Sequence, residues 1–214
     1  MSVRYFTFLI LTLGSLQAAA MSDEALRFKV FLNERFLGHH NFLVSETMAG
    51  HQVASDASFE FKLMFITAFR YQHSVREQWQ GDCLSAVEST TQENRNRYAV
   101  EAIRAGDDLN VRSSVNDTAF AGMLSGCIGS FAYWNPRIVL GARQLLSVQT
   151  GEYVDVRSDY LGEEQITAGG KAITARKFRL QARDLNIDLW YSASNEWLGL
   201  ESTESGRTLR YERI

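Results

Sequence analysis

Apolar and polar residues alternate along most of this chain. Over residues 26 to 33, Leu26, Phe28, Val30 and Leu32 share one face while Arg27, Lys29 and Asn33 take the other, the pattern of a half-buried strand. Residues 39 to 46 put His40, Phe42 and Val44 together. Residues 52 to 62 set Val53, Ser55, Ala57, Phe59 and Phe61 against Asp56, Glu60 and Lys62. After the apolar run LMFITA, residues 69 to 79 place Phe69, Tyr71, His73, Val75, Glu77 and Trp79 on one side, so that an imidazole and an acid lie inside an aromatic stripe. Residues 84 to 91 and 98 to 104 read as a hairpin around QENRN, and AGDDLNVRSSV as a further turn and strand. The second half repeats the style in EYVDVRSDYLGEE, AITARKFRLQA, LNIDLWYS, WLGLEST and TLRYERI, with turns at Gly169-Gly170, SASNE and ESGR. About ten strands result, and strongly twisted open sheets rarely exceed that number without curling. The predicted fold is all-β: one large curved antiparallel sheet, half-barrel or barrel-like.

One run breaks the alternation. CIGSFAYWNPRIV, residues 127 to 139, carries the single proline of the chain. Asn135-Pro136 has the form of a helix N-cap followed by Pro at N1, where the missing N–H is not needed, and Gly141 can supply the stop. The expectation is one short helix near 136 to 140 at the open side of the sheet, preceded by a loop of small residues, GMLSGCIGS.

The ends set the compartment. Arg4, an apolar core from Tyr5 to Leu16, and Ala18 with Ala20 form a secretory signal peptide over residues 1 to 20, cleaved after Ala20. The remainder, 21 to 214, is the length of one β-rich domain, expected in the periplasm. No later stretch reaches the ~20 apolar residues of a spanning helix. Removing Arg4 from 22 basic and 25 acidic residues leaves 21 against 25, a net charge of −4 that excludes a basic nucleic-acid footprint. In an exported chain the two cysteines, Cys83 and Cys127, point to one disulfide, whose loop closure is worth roughly 3 to 4 kcal/mol. Two lone cysteines without C-x-x-C spacing make a poor zinc or redox signature.

Candidate chemistry is sparse. His73 and Glu77 lie about 13 Å apart along a strand rising ~3.3 Å per residue, too far to pair as neighbours. The plain expectation gives Glu77 an arginine from an adjacent strand and His73 a hydroxyl or backbone partner. His39 and His40 point to opposite faces and His51 lies beside a turn, so all three are expected in surface or loop roles without metal. No nucleophile, phosphate loop or zinc motif stands out, and no catalytic residue, metal or cofactor is implied. Phe131, Tyr133 and Trp134, with Trp79, Trp190 and Trp197, can line an apolar pocket or simply fill the core. The candidate ligand-binding residues are Tyr71, His73, Glu77, Trp79, Phe131, Tyr133 and Trp134.

Tyr71, His73, Glu77 and Trp79, the AYWNP run after Cys127, LLSVQTG and the closing LWYS…WLGLES…YERI together resemble a bacterial family of exported β-rich proteins, domain of unknown function 6134. More loosely, the chain is similar to lipoprotein-carrier half-barrels. The resemblance implies a curved sheet and carries no activity with it. Three readings follow. The first is a non-enzymatic periplasmic protein holding an apolar or lipid-like molecule in its concave sheet, the second a structural or protein-interaction module with a filled core, and the third an enzyme using Glu77 and His73. An aromatic-lined cavity marks the first and a packed interior the second.

Overall fold

A computed structural model describes residues 23–63, 66–204 and 206–214; the expected signal peptide lies outside the described residues. Eight strands come first: β1 (Asp23–Leu32), β2 (Arg35–Thr47), β3 (Gly50–Leu63), β4 (Ile66–Gln80), β5 (Cys83–Glu93), β6 (Asn96–Ala105), β7 (Asp108–Val115) and β8 (Thr118–Ser125). Then come a helix, α1 (Pro136–Gly141), and six more strands: β9 (Gln144–Leu146), β10 (Tyr153–Ala168), β11 (Lys171–Ala182), β12 (Leu185–Tyr191), β13 (Trp197–Glu204) and β14 (Arg207–Arg213). All belong to one antiparallel sheet, ordered β8-β7-β6-β5-β4-β3-β2-β1-β14-β13-β12-β11-β10-β9. Every sequential pair of strands is a neighbour except β8 and β9, which are the two ends. The sheet is therefore a ring of hairpins, joined through β1 and β14 and left open at one place.

Fourteen strands exceed the expected ten. β8 was not foreseen because TAFAGMLS lacks alternation, and part of the stretch expected as a small-residue loop is strand. β9 has only three residues. Where alternation is clean it sets the inner face: Leu26 and Phe28 of β1, Val75 and Trp79 of β4, Val100 of β6, Leu180 of β11 and Leu189 of β12 pack into one core. The long β10–β11 hairpin curls over the outer face, where Ala168, Ala175 and Leu198 form a small separate cluster and Gly169 N–H donates to the Arg213 carbonyl at 3.0 Å.

Residues 126 to 143 cross the opening. The Cys83–Cys127 disulfide ties their start to β5, and Leu84 N–H donates to the Ile128 carbonyl at 2.8 Å. At the next residue the Gly129 carbonyl accepts from Leu146 N–H of β9, also at 2.8 Å. The segment thus bonds to both arms of the sheet. Gly129 is required by proximity, since a Cβ there would meet Ile138 Cγ2 at 2.9 Å. α1 starts as expected, with Asn135 Oδ1 accepting from Arg137 N–H at 3.0 Å and Pro136 in the first turn. It ends differently. Gly141 lies within the helix, and Ala142 leaves it in extended backbone (φ −81°, ψ 154°) that feeds β9 directly, so no left-handed stop is needed. Ile138 and Val139 are buried, and the Leu140 carbonyl accepts from Ser158 Oγ of β10 at 2.6 Å, which seats the helix at the open side.

Candidate functional site

Strand alternation puts Tyr71, His73, Glu77 and Trp79 of β4 on the inner face, and the crossing segment lays Phe131, Tyr133 and Trp134 against the same core. They fall into two groups. In the first, Glu77 Oε1 accepts from Ser130 Oγ at 2.7 Å and Oε2 from Trp79 Nε1 at 3.1 Å. Trp134 meets Trp79 edge-on at 5.9 Å, and Tyr133 lies 5.4 Å from Trp197 while its carbonyl accepts from Tyr191 Oη at 3.0 Å. Phe131 packs beside Tyr133. In the second group, towards the other end of β4, Tyr71 Oη donates to Gln149 Oε1 at 3.0 Å and His73 Nδ1 lies 2.7 Å from Thr91 Oγ1. His73 and Glu77 thus have separate partners. The expected arginine beside Glu77 is replaced by two neutral groups, because the crossing segment and not a charged neighbouring strand covers it. Burial pushes the Glu77 carboxyl up, against the two hydrogen bonds that favour its charge.

The interior is packed. Trp79 and Trp197 are 1% exposed, and Leu145, Leu189 and Tyr191 are fully covered. A chamber able to admit a ligand tail would leave such walls accessible. Gln149 and Val148, from the turn between β9 and β10, close the far end, with the Val148 carbonyl accepting from Ser89 Oγ.

An open concavity lies on the opposite face, where β2 to β7 bend into a groove of about 840 Å³. Two adjacent cross-strand rows form its floor. One runs His39, Ser58, Gln72, Gln92, Arg97, and the other Asn41, Asp56, Ser74, Thr90, Ala99, Ser114. The floor is mostly hydroxyl and amide, with small residues in the middle of the second row. Ser74 Oγ donates to Asp56 Oδ1 at 2.7 Å and Arg97 Nε to Gln92 Oε1 at 3.3 Å. Trp190 also faces outward, on β12, beneath Lys177 Nζ at 4.7 Å from its ring and bonded through Nε1 to Glu164.

A family model for a domain of unknown function, DUF6134, matches residues 28–214. The chain belongs to this DUF6134 family. No curated protein matches it. Among solved structures, the DUF6134 chain is similar to a crystal structure of a β-barrel-like protein of domain of unknown function DUF1849 from Brucella abortus, with TM-score 0.63 over 89% of this chain and 94% of that one at 7% identity. At that identity the likeness carries the fold alone: a barrel-like sheet.

One arrangement in this DUF6134 chain has the outward form of a catalytic site and was missed in the sequence. His40, expected at the surface, is half-buried on the inner face, with Nε2 2.6 Å from Ser55 Oγ and Nδ1 3.2 Å from Tyr211 Oη. Its place beside Phe42 and Val44 in the alternation was the available signal. A serine, a histidine and an orienting hydroxyl within bonding reach have the layout of an activated nucleophile. The environment argues otherwise. Burial, and then the nearby His73, lower the His40 pKa to about 3, so the imidazole is a feeble base. Ser55 is 6% exposed. The phenols of Tyr71, Tyr133 and Tyr211 are pushed upward by burial and stay neutral. Among the described residues no three His, Cys, Asp or Glu side chains gather for a metal. These are satisfied core polar groups.

Proposed function

We propose that this DUF6134 protein is exported to the periplasm, loses residues 1 to 20, and acts there as a non-enzymatic binding protein that takes a polar, extended ligand on its outer face. One observation carries the reading: the interior is filled by the chain's own residues 126 to 151, while the open concavity lies outside and presents hydroxyl and amide side chains. Such a floor offers many directional hydrogen bonds and little apolar area, which suits a polar molecule better than a lipid. The longer row spans six strands, about 24 Å at ~4.8 Å between neighbours, which favours an elongated ligand.

Native mass spectrometry of protein purified from its own periplasm tests this, with wild type beside Gln72→Trp, which fills the groove floor. The expected result is a polar adduct on the wild type, absent from the variant, on a chain whose mass begins at Met21. A retained lipid, or binding of a fluorescent fatty-acid probe to the wild type, would return the site to the interior and refute the proposal.

A further inference from the structure

We propose that β8 is a self-association edge at which two copies of this chain pair antiparallel. β8 ends the sheet and has β7 as its strand partner on one side; among the described residues no strand meets the backbone groups along its other side. Seven of its eight residues are exposed. A free edge invites another strand, and folded proteins blunt such edges with charge, proline, bulges or cover. The other end of this sheet has those devices. β10, beyond the three residues paired to β9, carries Arg157, Asp159, Glu163 and Glu164, is bulged between Tyr160 and Gly162, and is touched by α1 through Ser158. β8 has none of them. Its sequence, TAFAGMLS, is uncharged and without proline, and its ladder to β7 is regular throughout.

The exposed side chains select the occupant. Leu124 faces the core, so Phe120 lies on the inner side of the edge and Met123 on the outer side, and these two are 57% and 62% exposed. Ile103, in the same outer cross-strand row as Met123, is 67% exposed. The apolar surface therefore flanks the edge on both faces, as a strand inserted between two sheets' worth of side chains needs. A twofold axis perpendicular to the sheet through Gly122 pairs Gly122 with its own copy. Phe120 then lies opposite Leu124 of the second copy, and Ala121 opposite Met123 of the second copy. A Cβ on Gly122 would meet nothing within 4 Å, so neither face is blocked there. No charge faces a like charge in this register, because Asp117 of one copy falls beyond the strand of the other. The paired edge is short, and its interface sits at the small end, below ~1,200 Å², which makes the dimer weak and concentration-dependent.

Sedimentation velocity of the full exported chain, from micromolar to about millimolar, reads this directly. The expected result is a monomer–dimer equilibrium for the wild type and at least tenfold weaker association for Phe120→Lys, which places a charge on the edge and removes an exposed side chain not needed for folding. Circular dichroism establishes that the variant is folded. A second test is independent of that substitution. Gly122→Cys should form an intermolecular disulfide under mild oxidation, since facing strand residues hold their Cα atoms ~4.5 to 5.5 Å apart. Thr118→Cys should not, because in this register its two copies are about 26 Å apart, eight residues at ~3.3 Å. A wild type monomeric throughout the range, or equal cross-linking of the two cysteine variants, would overturn the proposal.

Discussion

Acid should destabilise this protein through two interior histidines. His40 and His73 lie on the inner face of β2 and β4, and burial is the first cause of a lowered pKa at both, to about 3 and about 4 from 6.5. Proximity to His73 adds to the effect at His40, while the Asp56 charge and a hydrogen bond to the Thr90 backbone partly oppose it at His73. Both values are depressed, so the unfolded chain takes up protons that the folded chain refuses. Their stability contribution is complete above pH 6.5 and is lost as pH falls from 6.5 toward 4 and then 3. One pKa unit is about 1.4 kcal/mol. The shift of 6.5 − 4 = 2.5 at His73 alone thus corresponds to ~3 kcal/mol, and the larger shift at His40 to ~5 kcal/mol, against total stabilities of about 5 to 15 kcal/mol for domains. Glu77 works with the opposite sign. Its carboxyl is raised by burial, so its contribution is complete below 4.5 and lost as pH rises, which removes up to one proton from the difference. The net slope between pH 6 and 5 should then lie between about half a proton and two protons, about 0.7 to 2.7 kcal/mol per pH unit. Urea melts followed by tryptophan fluorescence at half-unit steps from pH 7.5 to 4.5 measure it. His40→Gln combined with His73→Gln should flatten the slope in that window. Equal slopes for the wild type and the double variant would show that the histidines are not the origin and sink the reasoning.

Replacing both Cys83 and Cys127 by Ala, which removes the cross-link over a sequence separation of 44, should cost ~4 kcal/mol, measured as a shift in the urea midpoint at pH 7.5. Glu77→Gln keeps acceptor and donor capacity toward Trp79 and Ser130 without a buried charge; it should raise stability at pH 8 and leave it nearly unchanged at pH 4, as thermal melts at the two pH values would show. Gly151→Ala should destabilise by about 1 to 3 kcal/mol, because Gly151 has φ +78° and an added Cβ would come within 2.5 Å of Ser113 Cβ; a melting temperature equal to wild type would contradict that contact.

Much of this fold was legible because one face of each strand is buried. The β4 stripe reads directly, down to which side Glu77 and His73 take, since a period of two leaves no other choice once Val75 and Trp79 are inside. The helix start was legible for an equally local reason, a side-chain oxygen within reach of an N–H two residues on. Partners distant along the chain were not. Ser130 is a small residue in a run of small residues, and nothing local indicates that it would meet a carboxyl 53 positions earlier. His40 shows its inner face in the pattern, but its bond to Tyr211 spans 171 positions and depends on β1 joining β14. The outer groove was hidden for a different reason. Its residues alternate with core positions as any solvated face does, and only the bending of the sheet makes that face concave.

The break in the sheet also sets where the fold should open first. The crossing segment is anchored unequally: at its start a covalent bond holds Cys127 to β5, and at its end β9 contributes only three residues paired to β10. Opening at the end frees few backbone bonds, whereas opening at the start requires breaking the disulfide or unfolding β5 with its full-length neighbours. Amide hydrogen exchange distinguishes the two, since local openings expose only the bonds they break. The Leu84 N–H, bonded to Ile128 beside the disulfide, should exchange only through global unfolding, while the Leu146 N–H, bonded to Gly129, should exchange through a smaller opening and with weaker dependence on urea. In the double cysteine variant the first anchor is gone, and the two amides should approach one another. Leu146 is itself fully buried, so this difference reflects the short strand and not solvent contact in the native state. Equal protection of Leu84 and Leu146 in the disulfide-bonded protein would mean that the segment and both arms of the sheet unfold as one unit, and that the interior has no partial way to open.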